Sequence, residues 1–366
     1  LAPLPLPAGI RSRFVEGING LRMHVLEAGD PKAPGLLLLH GFPELAFSWR
    51  KVIVPLADAG YHVMAPDQRG FGRTTGWDPN YDGDLALFRG DSLARDAIAL
   101  VRALGHDTVD LVGHDFGSLL GGLCALLHPE VFRSVALMSA PFSGAPRTDT
   151  TPLGQILADL AALPRPRKHY QAYYCTREAN RDMLNCAQGL HAFLRAYFHV
   201  KSADWKQNQP YPLAAWSAAE LAKMPTYYIM DLREDMAQTV AHEMPTAAEI
   251  AACRWMTEAE MAVYAAEFGR TGFQGGLQWY RGQWSSESAK RMQQLAGRTI
   301  DVPACFISGK SDWGNYQSPG SLERMSTRAC ADYRGTHFVE GAGHWVQQEQ
   351  PEAVVRRLRE FLASAR

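Results

Sequence analysis

Val109-Asp110-Leu111-Val112-Gly113-His114-Asp115-Phe116-Gly117-Ser118-Leu119-Leu120 is the stretch on which the reading of this chain turns. Its apolar start, 109–113, reads as a buried strand, and 116–128 reads as a helix that follows with almost no loop. A strand that turns this sharply into a helix needs small residues around the corner, and Gly113 and Gly117 supply them. The pattern is that of a nucleophile elbow, which pushes its central side chain into a cleft beside the free N–H groups of a helix start. Here the central residue is Asp115. An aspartate before a helix is also a common N-cap, but the flanking glycines and the strand ahead of it favour the elbow.

Outward from the elbow, short apolar runs alternate with helical spacing. Strands are expected at 21–27, 36–40, 61–65, 109–113 and 134–139, and helices at 49–59, 91–104 and 116–128. Such alternation predicts a mostly parallel sheet with helices on both faces, an α/β fold. The rhythm stops after Pro141 and resumes with strands at 304–308 and 336–340 and a closing amphipathic helix at 351–363. The simplest layout is an α/β core at 1–145 and 286–366, interrupted after its sixth strand by a helical insertion at 146–285. That insertion holds most of the tyrosines, and Pro164–Pro166 reads as a turn within it.

Two further loops belong with the elbow. His40-Gly41-Phe42-Pro43-Glu44 follows the strand at 36–40, and Gly341-Ala342-Gly343-His344-Trp345 follows the strand at 336–340. Between them in sequence, Gly309-Lys310-Ser311-Asp312-Trp313 places an acid after the strand at 304–308. The order Asp115, Asp312, His344 is nucleophile, acid, histidine, the order this architecture uses. Asp312 is expected to fix the imidazole tautomer and stabilise its charged form. Backbone N–H groups of Phe42 and Phe116 are the expected oxyanion donors.

Bulk properties narrow the remaining classes. With 37 basic and 38 acidic residues the net charge is −1, which argues against nucleic acid or an anionic membrane surface as partner. No run approaches the ~20 apolar residues of a membrane span. Six scattered cysteines form no Cys-x-x-Cys pair, so neither a zinc site nor a disulfide framework is indicated. Neither metal nor cofactor is expected. The reading places the chain in the cytoplasm, with a removed leader left open.

These motifs resemble the α/β-hydrolase superfamily and, within it, the soluble epoxide hydrolase group. The resemblance spans residues ~12–145 and ~286–364 and reaches two motifs in the insertion: Tyr170-Gln171-Ala172-Tyr173-Tyr174 and Gln278-Trp279-Tyr280-Arg281. It implies a lid whose two tyrosines, Tyr170 and Tyr280, donate hydrogen bonds to an epoxide oxygen. Tyr227 is the alternative to Tyr170. Asp115 would then attack an epoxide carbon, and His344 with Asp312 would activate a water that cleaves the resulting ester. His40, Pro43, Trp279 and Trp345 are the expected substrate-pocket residues. The expected partners are a small epoxide and water, together with a second copy of the chain in a homodimer. Residues 201–260 depart from the group by exceeding what a compact lid needs; they are expected to reshape the pocket or to form a subunit contact. Two alternatives stay open. A haloalkane or haloacid dehalogenase would use the same triad, although such enzymes typically carry Trp after the elbow Asp and Asn in the histidine-glycine loop, or an Arg just after the nucleophile. Here Phe116 and Phe42 stand at the first two positions, and Gly117 and Ser118 come next. A non-catalytic binding protein on this fold is the second alternative.

Overall fold

The computed structural model describes residues 1–144 and 151–365. Eight strands form one sheet: β1 (Arg11–Ile18), β2 (Leu21–Ala28), β3 (Gly35–Leu39), β4 (His62–Pro66), β5 (Val109–His114), β6 (Phe132–Met138), β9 (Ala304–Gly309) and β10 (Tyr333–Val339), with β7 (Arg167–His169) and β8 (Ile229–Asp231) lying apart. The order is β1-β2-β4-β3-β5-β6-β9-β10. Pairings from β4 to β10 are parallel, and β1 and β2 join antiparallel at one edge. The five residues of β3, Gly-Leu-Leu-Leu-Leu, are all buried, as a central parallel strand requires. Alternate leucines feed the two faces: Leu37 and Leu39 enter the apolar layer on one side, Leu36 and Leu38 the layer on the other.

Helices α1 (Ile53–Asp58), α2 (Gly90–Ala103) and α3 (Phe116–Leu127) flank the sheet, and the helix Pro351–Ser364 closes it. The helix expected at 49–59 is instead a short 3-10 turn, Ala46–Trp49, followed by α1. β1 was not anticipated. Its burial is irregular and mostly exposed, so the edge strand carries no clear period-2 signal.

Between β6 and β9, helices run from Leu153 to Gln294, broken by the helix-free stretch 202–217 and by the short antiparallel pair β7 and β8. The expected junction at 145/146 lies outside the described residues. The helix Ser286–Gln294 lies past the other expected boundary at 285. Because β6 and β9 pair directly, this long segment leaves the sheet's register undisturbed. The loops that end β3, β5, β9 and β10 all lie at the carboxyl edge of the sheet, where open α/β sheets bind ligands.

Candidate active site

At the end of β5 the chain turns on Asp115, whose φ of 54° and ψ of −116° are strained for a residue with a side chain. The turn is tight enough that a Cβ on Gly113 would sit 1.9 Å from the Gly117 carbonyl oxygen, and one on Gly117 would sit 2.1 Å from that of Leu39. Glycine at both positions is therefore a steric requirement of the elbow. The Asp115 N–H donates to the Met138 carbonyl (3.0 Å), which ties the strained residue to β6. Its side chain makes no N-cap bond to α3 and is turned toward the cleft instead.

There it meets the groups expected from the sequence. The Phe42 N–H donates to Asp115 Oδ1 (3.0 Å). Phe116 is the first residue of α3, so its N–H has no partner inside the helix. His344 Nε2 lies 3.2 Å from Asp115 Oδ2 but is not aligned with it, and has no hydrogen-bond partner among the described residues. The other ring nitrogen, Nδ1, lies 3.1 Å from both oxygens of Asp312. A carboxylate only accepts, so Nδ1 carries the proton and, in the neutral ring, Nε2 is left with a free lone pair. Asp312 is fixed in turn by the Gly314 N–H (2.7 Å) and the Ser308 hydroxyl (3.3 Å). Burial works to raise the Asp115 carboxyl. The close approach and charge of His344 outweigh it, and Lys201 and His114 add to them, so the carboxyl is held well below the usual range. Asp312 is lowered in the same way, by His344 and Gly314 against burial.

The helical segment supplies phenols. Tyr280, on the helix Gln274–Gln283, packs its ring 4.4 Å from Phe116 and 5.5 Å from Phe42, centroid to centroid. Its hydroxyl has no hydrogen-bond partner among the described residues. Tyr170 lies 6.1 Å from Tyr280 between ring centroids; its hydroxyl donates to Gln317 Oε1 (3.1 Å) and accepts from Gln171 Nε2 (2.9 Å). Burial first, and then neighbouring phenols and the negative charge of Asp115, push both Tyr170 and Tyr280 well above the ordinary phenol value. Both are therefore protonated donors at neutral pH. Tyr227 is spent elsewhere: its hydroxyl donates to Asn208 Oδ1 (2.7 Å).

The four expected pocket residues fall in different places. Trp279 gives its indole N–H to the Arg69 carbonyl (2.8 Å) and, with Phe116, lines a cavity of about 810 Å³ among the described residues. Pro43 follows Phe42 through a cis peptide bond. His40 is buried behind the loop, where Nδ1 faces the Gly41 carbonyl (2.9 Å) and Nε2 accepts from the Gln68 N–H (3.2 Å). Trp345 is fully buried, stacked on Phe198 at 4.3 Å, with its indole N–H on the Phe198 carbonyl (2.8 Å).

Several residues near the centre had no assigned part in the sequence reading. His114 and Glu44 sit inside the quoted motifs and form a fully buried pair, Nδ1 to Oε2, at 2.6 Å. The other nitrogen of His114 faces the His344 carbonyl at 2.7 Å, so both ring nitrogens have acceptors, as a protonated imidazole requires. Burial would lower this histidine, but the charge of Glu44 prevails and raises it. Lys201 is buried, its ammonium 5.2–5.4 Å from the rings of Tyr228, Tyr197 and Trp345. No motif marks Lys201, Tyr197 or Tyr228, and only the folded insertion brings them to the triad.

Residues 34–172 match the family model described as alpha/beta hydrolase fold. Epoxide hydrolase A of Mycobacterium tuberculosis is 34% identical to this chain over 94% of it and 95% of the relative. Bifunctional epoxide hydrolase 2 of Mus musculus is 28% identical over 99% of this chain and 57% of the relative. Among solved structures, Epoxide Hydrolase A from Mycobacterium thermoresistibile superposes with a TM-score of 0.78 at 32% identity, covering 98% of this chain and 99% of that one. An epoxide hydrolase from an endophytic Streptomyces gives a TM-score of 0.79 at 28% identity, covering 98% and 96%. With its fold, its elbow and these relatives in agreement, the chain belongs to the epoxide hydrolase group of the α/β-hydrolase superfamily.

Proposed function

We propose that this epoxide hydrolase adds water to its substrate in two steps, through an ester on Asp115. The supporting observation is the placement of the Asp115 carboxylate: one oxygen is held by the Phe42 N–H, and the other lies 3.2 Å from the open nitrogen of His344. In the first step Asp115 attacks an epoxide carbon on the face opposite the breaking C–O bond. The leaving alkoxide takes a proton from a phenol, and Tyr280 and Tyr170 are the donors in this reading. Tyr280 is ready to donate, whereas Tyr170 must release Gln317 or share its proton. In the second step His344 takes a proton from water as the water attacks the ester carbonyl carbon. Asp312 steadies the imidazolium. The oxyanion falls between the N–H groups of Phe42 and Phe116, where one strong donor is worth roughly 3–4 kcal/mol. Collapse of the tetrahedral centre expels the diol oxygen, which takes the proton back from His344. Asp115 emerges as the acid and returns its proton to the phenolate left by the first step, which restores carboxylate and phenol together, and neither metal nor organic cofactor enters the cycle.

In this reading residues 146–285 act as a cap that carries the phenols. The six cysteines are free, which suits a reducing cytoplasm. No helix among the described residues is long and apolar enough to cross a membrane.

Replacing His344 by Gln is the direct test of the two-step reading. The variant should still form the ester and fail to hydrolyse it, gaining one substrate mass on the Asp115 peptide. A folded variant that turns over a confirmed substrate, or that never gains mass, contradicts the assignment.

A further inference from the structure

The histidine loop is gripped by a carboxylate that the two-step cycle does not use. Glu349 accepts three backbone N–H bonds: from Gly343 (2.9 Å) and Ala203 (2.8 Å) on Oε2, and from Trp345 (3.0 Å) on Oε1. Gly343 and Trp345 are the two neighbours of His344 in sequence. Ala203 belongs to the insertion, two residues after Lys201, whose carbonyl accepts the His344 N–H (2.8 Å). The Asn208 side chain holds that stretch in place by donating to the carbonyls of Val200 and Ser202. Fit is close on every side, since a Cβ on Gly343 would lie 2.5 Å from the Lys201 carbonyl oxygen.

We propose that Glu349 is a positioning residue for ester hydrolysis, and that it acts by locking His344 to the 201–203 stretch of the insertion. This rests on the two-step reading above. The two carboxyl oxygens complete all three contacts at once, Oε2 taking two donors and Oε1 taking one. Burial outweighs the three N–H groups and pushes this carboxyl up to about 8, so the group sits here at a cost that its grip on the loop must offset. An amide in its place offers one oxygen and turns an NH₂ toward an N–H, so at least one donor is stranded. The imidazole can then swing, and only the water-activating step needs its Nε2 aimed at the Asp115 carbonyl. Asp115 is aimed for the first step by the Phe42 N–H and the elbow, neither of which touches Glu349, and Lys201 and His114 still favour its charged form if the imidazole swings.

The same clamp can be opened from its other side. Ser202 has φ −88° and ψ 171°, an extended conformation that a following proline accepts. Ala203→Pro therefore removes the insertion's donor and sets a ring carbon against Glu349 Oε2 in its place.

The test is rapid-quench kinetics on the wild type, Glu349→Gln and Ala203→Pro, resolving ester formation from ester hydrolysis by intact mass, with melting temperatures alongside. In Glu349→Gln, ester formation should stay within about twofold of the wild type, hydrolysis should slow at least tenfold, and the ester should accumulate. Ala203→Pro should slow the same step and spare ester formation. Hydrolysis at the wild-type rate in folded Glu349→Gln overturns the proposal. So does an equal slowing of both steps, which is what general loosening of the structure gives. If Glu349→Gln does not fold, Ala203→Pro decides by the same two criteria. A wild type that forms no ester overturns the two-step reading itself, a result distinct from either.

Discussion

Asp115 combines a strained backbone with a depressed carboxyl, and the two follow from one placement. The elbow turns the side chain away from α3 and toward the Phe42 N–H and His344. Asp115→Ala should abolish diol formation while the melting temperature stays near that of the wild type; measurable turnover by the pure variant would remove it as nucleophile. At Tyr280, the absence of a competing partner predicts that Tyr280→Phe slows ester formation at least tenfold, a loss of about 1.4 kcal/mol or more. Stopped-flow alkylation rates check this, and substrate affinity should change less, because the bond is strongest to the developing alkoxide. Tyr170→Phe should slow the same step by less, since its hydroxyl is shared with Gln317 and Gln171. That Asp115, Asp312 and His344 would meet was legible in sequence because each sits in a short glycine-marked loop after an apolar run. Glu349 and Lys201 were not, because the Ala203 donor lies 146 residues from Glu349 and two of the rings around Lys201, Tyr228 and Trp345, come from distant parts of the chain.

β5, the elbow and α3 behave as one unit, and its weak points are steric. Gly117→Ala puts a methyl group 2.1 Å from the Leu39 carbonyl oxygen, a backbone atom of a buried central strand that cannot yield cheaply. We expect a loss of stability of about 1–3 kcal/mol or more, read as a lower urea midpoint, and lower activity as β3 is pushed away from the elbow. An unchanged midpoint would mean that the turn is looser than described. The central strands were readable because burial on both faces leaves unbroken apolar runs such as Leu36–Leu39. β1 was not, being a half-solvated edge, and neither were β7 and β8, three residues each and too short to show a period.

Among the described residues, several buried acids stand on bases. Glu27, on β2, illustrates the consequence for stability. Burial would raise its carboxyl, but His62, Arg13 and Arg11 outweigh it and bring it down to about 2. A carboxyl depressed in the folded state adds stability above its unfolded value of roughly 4.3 and loses it as pH falls toward the folded one. Glu27→Gln should therefore be less stable than the wild type at neutral pH, and the gap should close between about pH 5 and pH 2. Urea midpoints across that range check it; a gap independent of pH would mean that Glu27 contributes by packing alone. The layout of sheet and insertion was foreseeable from where the β-α rhythm stops and restarts. Tyr280 was expected at the site from its motif in the insertion; the hold of Lys201 and Ala203 on the histidine loop was not, because it runs through contacts across the fold. The account as a whole stands on a covalent ester that water cleaves at the Asp115 carbonyl. A single turnover in ¹⁸O water, with enzyme in excess over epoxide, tests that most directly. The account predicts that the label enters the Asp115 carboxylate, seen as a heavier peptide, while the diol leaves unlabelled. Label in the diol with an unlabelled Asp115 would mean that water attacks the epoxide itself, and would contradict it.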